Sequence, residues 1–529
     1  MSLLNNNLLI FNIKNIFFFL ITATYFGINA NAQINSIENS NVSGTFFITP
    51  TFSATETYTN NISLASNAKN SGFISEVSPG INILSGTGRV KGYLNYSLNL
   101  INYNGGQGSN LLQNTLNSSA AIEVIDGHGF INVSGVISQQ TISAFSTQGI
   151  NNNLNSNKTE VSTYNISPYY RGQLSNFIDY EAKYSVSKTQ AKNLENYSSY
   201  DNLASLKLNG NEYFGKLSWS LGANRQVVLR NANANANANA NANANANAVI
   251  DKLNVSFNYP IISKLILSIS GGREIQNYTS TIKESSWTSG AGLNWSISER
   301  TKLFANIESS PLGKLHSLNF EHRTPRTSWR INDTKNVSVS NNKNSATFGN
   351  NYDIVFNQFS SVEPDPIKRI QLVNNFLRTN GINPDATVIN GYLKLGTSIQ
   401  HSKNISFSLL GIRDTVTLTA AKINTNRVIN SILATNDFNN SNPIRQSGLT
   451  VTYTHRLTEN TVFNNQFSIQ KITGEVSSQN TELKSVNVSA STRIASNIYL
   501  TLSARHSTSS NTIFPYKETA LIGNLAVQF

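Results

Sequence analysis

Along most of this chain, hydrophobic and polar positions alternate with a period of two. Val90, Gly92, Leu94, Tyr96, Leu98 and Leu100 alternate with Lys91, Tyr93, Asn95, Ser97 and Asn99. Phe73, Val77, Ile81 and Ile83 do so before the return strand, and Ile178, Tyr180, Ala182, Tyr184 and Val186 after it. This is the period of a β-strand whose two faces meet different surroundings. Short connections at 85–88, 126–129, 298–301, 457–460 and 495–497 carry turn residues such as Gly88 and Gly127. They interleave with long ones at 104–110, 143–158, 230–248, 340–388 and 423–444. The pattern predicts an all-β, up-and-down antiparallel sheet of about 22 strands, within a range of roughly 18–24. Residues 392–411 read as one long strand, because Leu393, Leu395, Ile399, Ile405, Phe407 and Leu409 keep one phase. The alternative is a hairpin at Ser402-Lys403-Asn404.

The last strand, 521–529, puts Leu521, Leu525, Val527 and Phe529 on one face, with Asn524 and Gln528 on the other. An aromatic carboxyl terminus on such a strand resembles the assembly signal of bacterial outer-membrane β-barrels. That resemblance implies that the barrel assembly machinery reads Leu525, Val527 and Phe529. It also implies contact with outer-membrane lipid and lipopolysaccharide. The other end agrees. Lys14 precedes the apolar run Ile16-Phe17-Phe18-Phe19-Leu20-Ile21, and Ala30-Asn31-Ala32 supplies small residues. This predicts a signal peptide over 1–32, cut between Ala32 and Gln33, leaving a barrel over 33–529. The alternative is a single-helix anchor, but a spanning helix needs roughly 20 apolar residues. Short turns on the side of the termini place both termini in the periplasm and make the strand number even.

Composition sharpens this reading. Charged residues are only 13% of the chain, and hydrophobics 39%, whereas a soluble domain carries about 25% charged residues. Few charges and many neutral polar residues suit strands with one face in lipid and one in a wet lumen. There is no Cys, which excludes disulfides and thiolate metal sites. The net charge of +12 is scattered through strands and turns, so no nucleic-acid partner is expected. Nine Asn-Ala dipeptides fill 231–248 as a low-complexity loop. Inside the long loop 340–388, Asp365 can cap a helix, Pro366 fits its first turn and Gly381 stops it. Ile367, Ile370, Val373 and Leu377 share a stripe, predicting a helix over about 365–380. That helix packs on its own loop or the barrel rim, or else folds into the lumen as a plug.

Little looks catalytic. None of His128, His316, His322, His401, His455 and His506 has metal-ligand spacing, and no nucleophile elbow is present. The expectation is no catalytic residue, no metal and no cofactor. The richest basic stretch is 322–330. Arg323, Arg326 and Arg330, with Arg413, are candidate lumen or rim contacts for polyanions. The alternative is that they pair with lumen acids such as Glu321 and Asp333.

Several further segments carry a second resemblance. They are Glu56-Thr57-Tyr58-Thr59-Asn60-Asn61, Glu76-Val77-Ser78-Pro79-Gly80, Ile137-Ser138-Gln139-Gln140 and Ser167-Pro168-Tyr169-Tyr170-Arg171-Gly172, then 322–329, 365–385 and Arg413-Asp414-Thr415-Val416-Thr417-Leu418. In order and spacing, from about residue 45 to 422, the chain resembles the outer-membrane barrels associated with PEP-CTERM/exosortase systems. That family implies an envelope role in the company of exopolysaccharide production and surface-protein sorting, with exopolysaccharide as a partner, and names no substrate. The expected function is a channel or export component. The alternatives are a structural or anchoring barrel with a plugged lumen, and an outer-membrane enzyme.

Overall fold

The structure, a computed structural model, describes residues 46–67, 69–86, 88–105, 110–149, 154–194, 197–214, 216–230, 247–278, 282–339, 352, 355–356, 359, 363, 366–379, 389, 391–394, 396–428, 437, 441–511 and 513–529. The expected signal segment with Ala32 and Gln33 lies outside the described residues, as does 231–246 of the Asn-Ala run.

In chain order the first strands are β1 (Phe46–Thr59), β2 (Gly72–Ser85), β3 (Val90–Asn104), β4 (Leu111–Ile125), β5 (Gly129–Thr141), β6 (Lys158–Ser175) and β7 (Ile178–Ala191). Next come β8 (Ser199–Phe214), β9 (Leu217–Arg230), β10 (Ala248–Ile262), β11 (Leu265–Gln276), β12 (Glu284–Ser298), β13 (Thr301–Ser310), β14 (Gly313–Arg323) and β15 (Thr327–Ser338). Helix α1 (Pro366–Thr379) follows, then β16 (Ser398–Leu410), β17 (Asp414–Arg427), β18 (Ile444–Arg456), β19 (Thr461–Thr473), β20 (Thr481–Ala495), β21 (Ile498–Asn511) and β22 (Tyr516–Gln528). Each strand pairs antiparallel with its sequence neighbours, and β22 closes on β1. This is a closed, antiparallel 22-strand β-barrel. Closure runs from Thr51 opposite Gln528 to Thr59 opposite Ala520, so it begins five residues into β1. Phe529 continues the seam, its N–H donating to the Pro50 carbonyl at 3.0 Å.

Register fixes the two faces. Tyr58, Phe73 and Leu521 stand side by side and are exposed, as are Leu100 and Leu502. That face meets lipid. On the other, Asn524 Nδ2 donates to Thr55 Oγ1 at 2.7 Å. The expected lipid face of the last strand is therefore correct for Leu521, Leu525 and Val527. The turns also fall as the Gly residues demand. Gly127 and Gly88 take φ of 69° and 63°, a region open to Gly at no steric penalty. The long strand over 392–411 is shorter than its phase suggests. Gly396 turns the chain at φ 89°, and Tyr392 and Leu393 are buried inside. Their side chains fill two interior clusters, so the in-phase pattern there was a coincidence of loop and strand.

Twenty-two strands spaced ~4.8 Å and tilted ~40° enclose a cylinder about 40 Å across at the backbone, too wide for wall side chains to fill. Inward-folded loops fill its loop-side end. Ala144, from the β5–β6 connection, packs with Tyr392, Ile444 and Ile472, although β5 and β18 lie on nearly opposite sides of the ring. Leu393 packs with Val161, Ala191 and Tyr197. The Asp437 carboxylate accepts hydrogen bonds from Ser143 Oγ and the Ala144 N–H, each at 2.6 Å. Tyr516 O–H donates to the Gln148 carbonyl at 2.5 Å, and Arg230 reaches from β9 to the Val339 carbonyl after β15. These contacts cross the lumen and form a cap.

Candidate functional site

Below the cap, α1 brings a cation to the barrel wall. Its described boundaries, Pro366–Thr379, match the expected helix within a residue at each end. Ile370, Val373 and Leu377 are buried as the stripe requires, while the side chain of Ile367 lies outside the described residues. The stripe packs on Tyr352, Val355, Phe356 and Phe359, all from the same loop. Arg369 flanks that stripe. Its guanidinium lies 4.7 Å from the Phe356 ring centroid, and its Nε donates to the Glu363 carbonyl at 2.8 Å. It also lines a cavity with residues of β13–β16 and the turn before β13. The helix therefore does both things considered above: it packs on its own loop, and it does so inside the lumen.

That cavity, of about 220 Å³, sits at the short-turn end of the barrel and is lined by Arg300, Lys302, Arg323, Arg330 and Arg369, with Glu299 and Glu321. Ser328, Ser406 and Ser408, with His322, Trp329 and Phe407, complete its wall. Lys302, Glu321, Arg330 and Ser406 form one row across β13–β16. Arg330 Nε lies 3.3 Å from a Glu321 oxygen, and Arg323 Nη2 donates to the Glu299 carbonyl at 3.4 Å. Five cations against two carboxylates make a basic chamber with guanidinium forks suited to carboxylate, sulfate or phosphate groups.

The sequence-predicted arginines divide here. Arg323 and Arg330 meet in the chamber. Arg326 and Arg413 lie on exposed turns outside its lining. The expected Arg330–Glu321 pairing is present, but Asp333 is no lumen acid. Arg330 and Asp333 differ by an odd number of positions, so alternation sends Asp333 to the outer face. Arg300 and Lys302 were missed because they lie outside the 322–330 stretch, although register sets Lys302 opposite Glu321. Arg369 needed knowledge of how the helix docks, which no local pattern holds.

On the outer face, Asp333 gathers a second cluster. His316 Nε2 and His401 Nε2 lie 3.0 and 2.7 Å from its Oδ1, and Lys403 Nζ lies 3.1 Å from Oδ2. The three residues His316, Asp333 and His401 could offer metal ligands, but the Lys403 ammonium already engages the carboxylate and opposes a further cation. Sequence spacing concealed the trio, because each member comes from a different strand.

The cap holds its own buried polar groups. Burial pushes the Asp437 carboxyl above the usual carboxylate range, against the opposing pull of Ser143 and Ala144. Burial also lowers the Lys394 ammonium to about 8; its Nζ donates to Gln400 Oε1 at 2.8 Å. Burial raises the Tyr392 phenol far above its ordinary value.

No protein-family model matches this sequence, and no curated protein does. Among solved structures, the chain is similar to the FrpB iron transporter from Neisseria meningitidis, at 10% identity and TM-score 0.46 over 91% of this chain and 82% of that one. It is also similar to the ferric enterobactin receptor PfeA from Pseudomonas aeruginosa, at 11% identity and TM-score 0.45 over 90% and 80% of the two chains. The siderophore receptor PirA from the same organism gives 11% identity and TM-score 0.41 over 92% and 80%. At these values the likeness says nothing about cargo.

Proposed function

We propose that this barrel is a gated conduit for an anionic polymer of the cell envelope, with loops outside and both termini in the periplasm. The observation that carries the reading is the basic chamber formed by Arg300, Lys302, Arg323, Arg330 and Arg369 at the short-turn end of the lumen. An anionic chain entering from that side meets guanidinium forks first and then lumenal Asn, Ser and Thr side chains, which offer hydrogen bonds to sugar hydroxyls, among charges already paired within the wall such as Lys252 with Glu308. The cap then acts as the gate. The resemblance to PEP-CTERM/exosortase-associated barrels favours exopolysaccharide, or an associated surface protein, as the cargo. Phe529 and the apolar face of β22 serve as the address for the barrel assembly machinery.

The test is secretion. Cells carrying Arg323→Gln, Arg330→Gln and Arg369→Gln together are expected to release several-fold less exopolysaccharide at unchanged barrel abundance. Normal release from that strain sinks the reading. A second reading, a plugged structural barrel, draws on contacts such as Ala144 with Ile444 and Ile472, which cross the ring. It predicts no loss of secretion and no current under any condition.

A further inference from the structure

The lipid-facing wall changes character partway up. On β15–β20 the outward face begins at the short turns with apolar residues: Trp329 and Ile331, then Ile405, Phe407 and Leu409, then Val416 and Leu418, and farther on Phe467 and Val486. Loop-ward of them the same face presents Lys335, Lys403, Lys422, Arg445, Lys471 and Lys484. Two carboxylates share that zone, Asp333 and Glu482, bound to Lys403 at 3.1 Å and to Lys484 at 2.5 Å. Six cations against two acids leave a strong positive excess on a face that otherwise meets hydrocarbon.

Height decides what these cations meet. Each stands 8 to 12 residues from the short turn of its own hairpin. At ~3.3 Å rise and ~40° tilt this is about 20–30 Å, the upper edge of an apolar band about 25 Å tall. That is the level of outer-leaflet headgroups. Spacing decides the ligand. Lys403 and Lys422 stand directly opposite each other on neighbouring strands, a like-charge pair that is disfavoured and that Asp333 offsets only on the Lys403 side. Ser447 and then Lys471 continue the same row, and Arg445 stands beside Ser447 one position pair along β18. Lys422, Arg445 and Lys471 are all exposed. The Asp333 cluster anchors one edge, with its carboxylate already saturated by His316, His401 and Lys403.

We propose that the outward face of β15–β20 binds the phosphate groups of a phosphorylated glycolipid of the outer leaflet, with Lys403, Lys422, Arg445 and Lys471 as the principal contacts. The ligand chemistry is a membrane-embedded phosphomonoester: acyl chains lie against the apolar rows and phosphates between the lysines. The site is independent of the lumen, so it stands or falls apart from the proposed transport role.

The test uses the full-length barrel in detergent and two probes, bisphosphorylated lipid A and the same lipid dephosphorylated. Retention is measured by native mass spectrometry or fluorescence titration. Wild type is expected to bind the phosphorylated lipid about tenfold or more tightly than the dephosphorylated one, given four cations near an anionic surface. The variant Lys403→Gln/Lys422→Gln/Arg445→Gln/Lys471→Gln is expected to lose that preference. The charge-retaining exchange Lys403→Arg/Lys422→Arg/Arg445→Lys/Lys471→Arg should keep it, as should lumenal Arg323→Gln. Equal wild-type binding of the two lipids overturns the proposal, as does an unchanged preference in the glutamine variant. If that variant fails to fold, the two-lipid comparison on wild type still decides.

Discussion

Glu518→Gln should loosen the seam that closes the barrel. Glu518, on β22, is 1% exposed and Arg505, on β21, is 3% exposed. The carboxylate accepts from Arg505 Nη2 at 2.8 Å and Nε at 3.3 Å, from Ser507 Oγ at 2.9 Å, and from Thr59 Oγ1 of β1 at 3.0 Å. One side chain thus ties the first strand to the last two. Gln keeps the shape but removes the charge, and turns one acceptor into an NH₂ facing donors. Removing one partner of a buried ion pair costs about 3–5 kcal/mol, because the other charge stays buried without compensation. Taking the lower figure, the folded-to-unfolded ratio falls roughly 10²-fold. Urea unfolding in lipid vesicles, followed by tryptophan fluorescence and by heat-modifiable gel mobility, reads this directly. A loss below about 0.5 kcal/mol would refute the claim that this pair holds the seam. The apolar double variant Arg505→Met/Glu518→Leu supplies the counter-check, since replacing both charges together is commonly neutral or better. It should recover most of the loss.

Three further outcomes follow from the same structure. The Asp437 carboxyl, raised by burial, makes the docked cap bind a proton more readily than the open one. Its docking should strengthen as pH falls through that raised value, and Asp437→Asn should flatten the dependence in hydrogen exchange at Ala144. Lys394, lowered to about 8, acts with the opposite sign: the open cap holds more protons between about 8 and the unperturbed value near 10.4. Cap protection should rise across that interval, and Lys394→Met should remove the rise. Deleting Phe529 removes the N–H···Pro50 bond at the seam and the terminal aromatic ring; outer-membrane barrel levels by immunoblot should fall several-fold.

What the sequence discloses depends on whether a residue's surroundings are local. Val90 to Leu100 could be read directly, because lipid on one side and lumen on the other impose the alternation residue by residue. The helix was legible for the same reason, with Ile370, Val373 and Leu377 buried on one stripe. Tyr392 and Leu393 misled, since an inward loop needs apolar side chains as much as a lipid-facing strand does. The place of Asp333 on the outer wall follows from parity with Arg330 once register is applied. The chamber did not follow, because Arg369 reaches Arg323 and Arg330 only through the docking of a distant helix, and Lys302 meets Glu321 only across strands.

The central claim is that a lumen about 40 Å wide at the backbone is closed by its own loops and lined at the short-turn end by cations. Planar-bilayer conductance tests it most directly, comparing wild type with a variant in which residues 366–379 and the anchor Asp437 are replaced by Gly-Ser and Ala. The account predicts rare, brief openings for wild type and a large, steady, anion-selective current for the variant, with selectivity lost on adding Arg323→Gln and Arg330→Gln. A steadily open wild type, or a folded variant that passes no current, would contradict it.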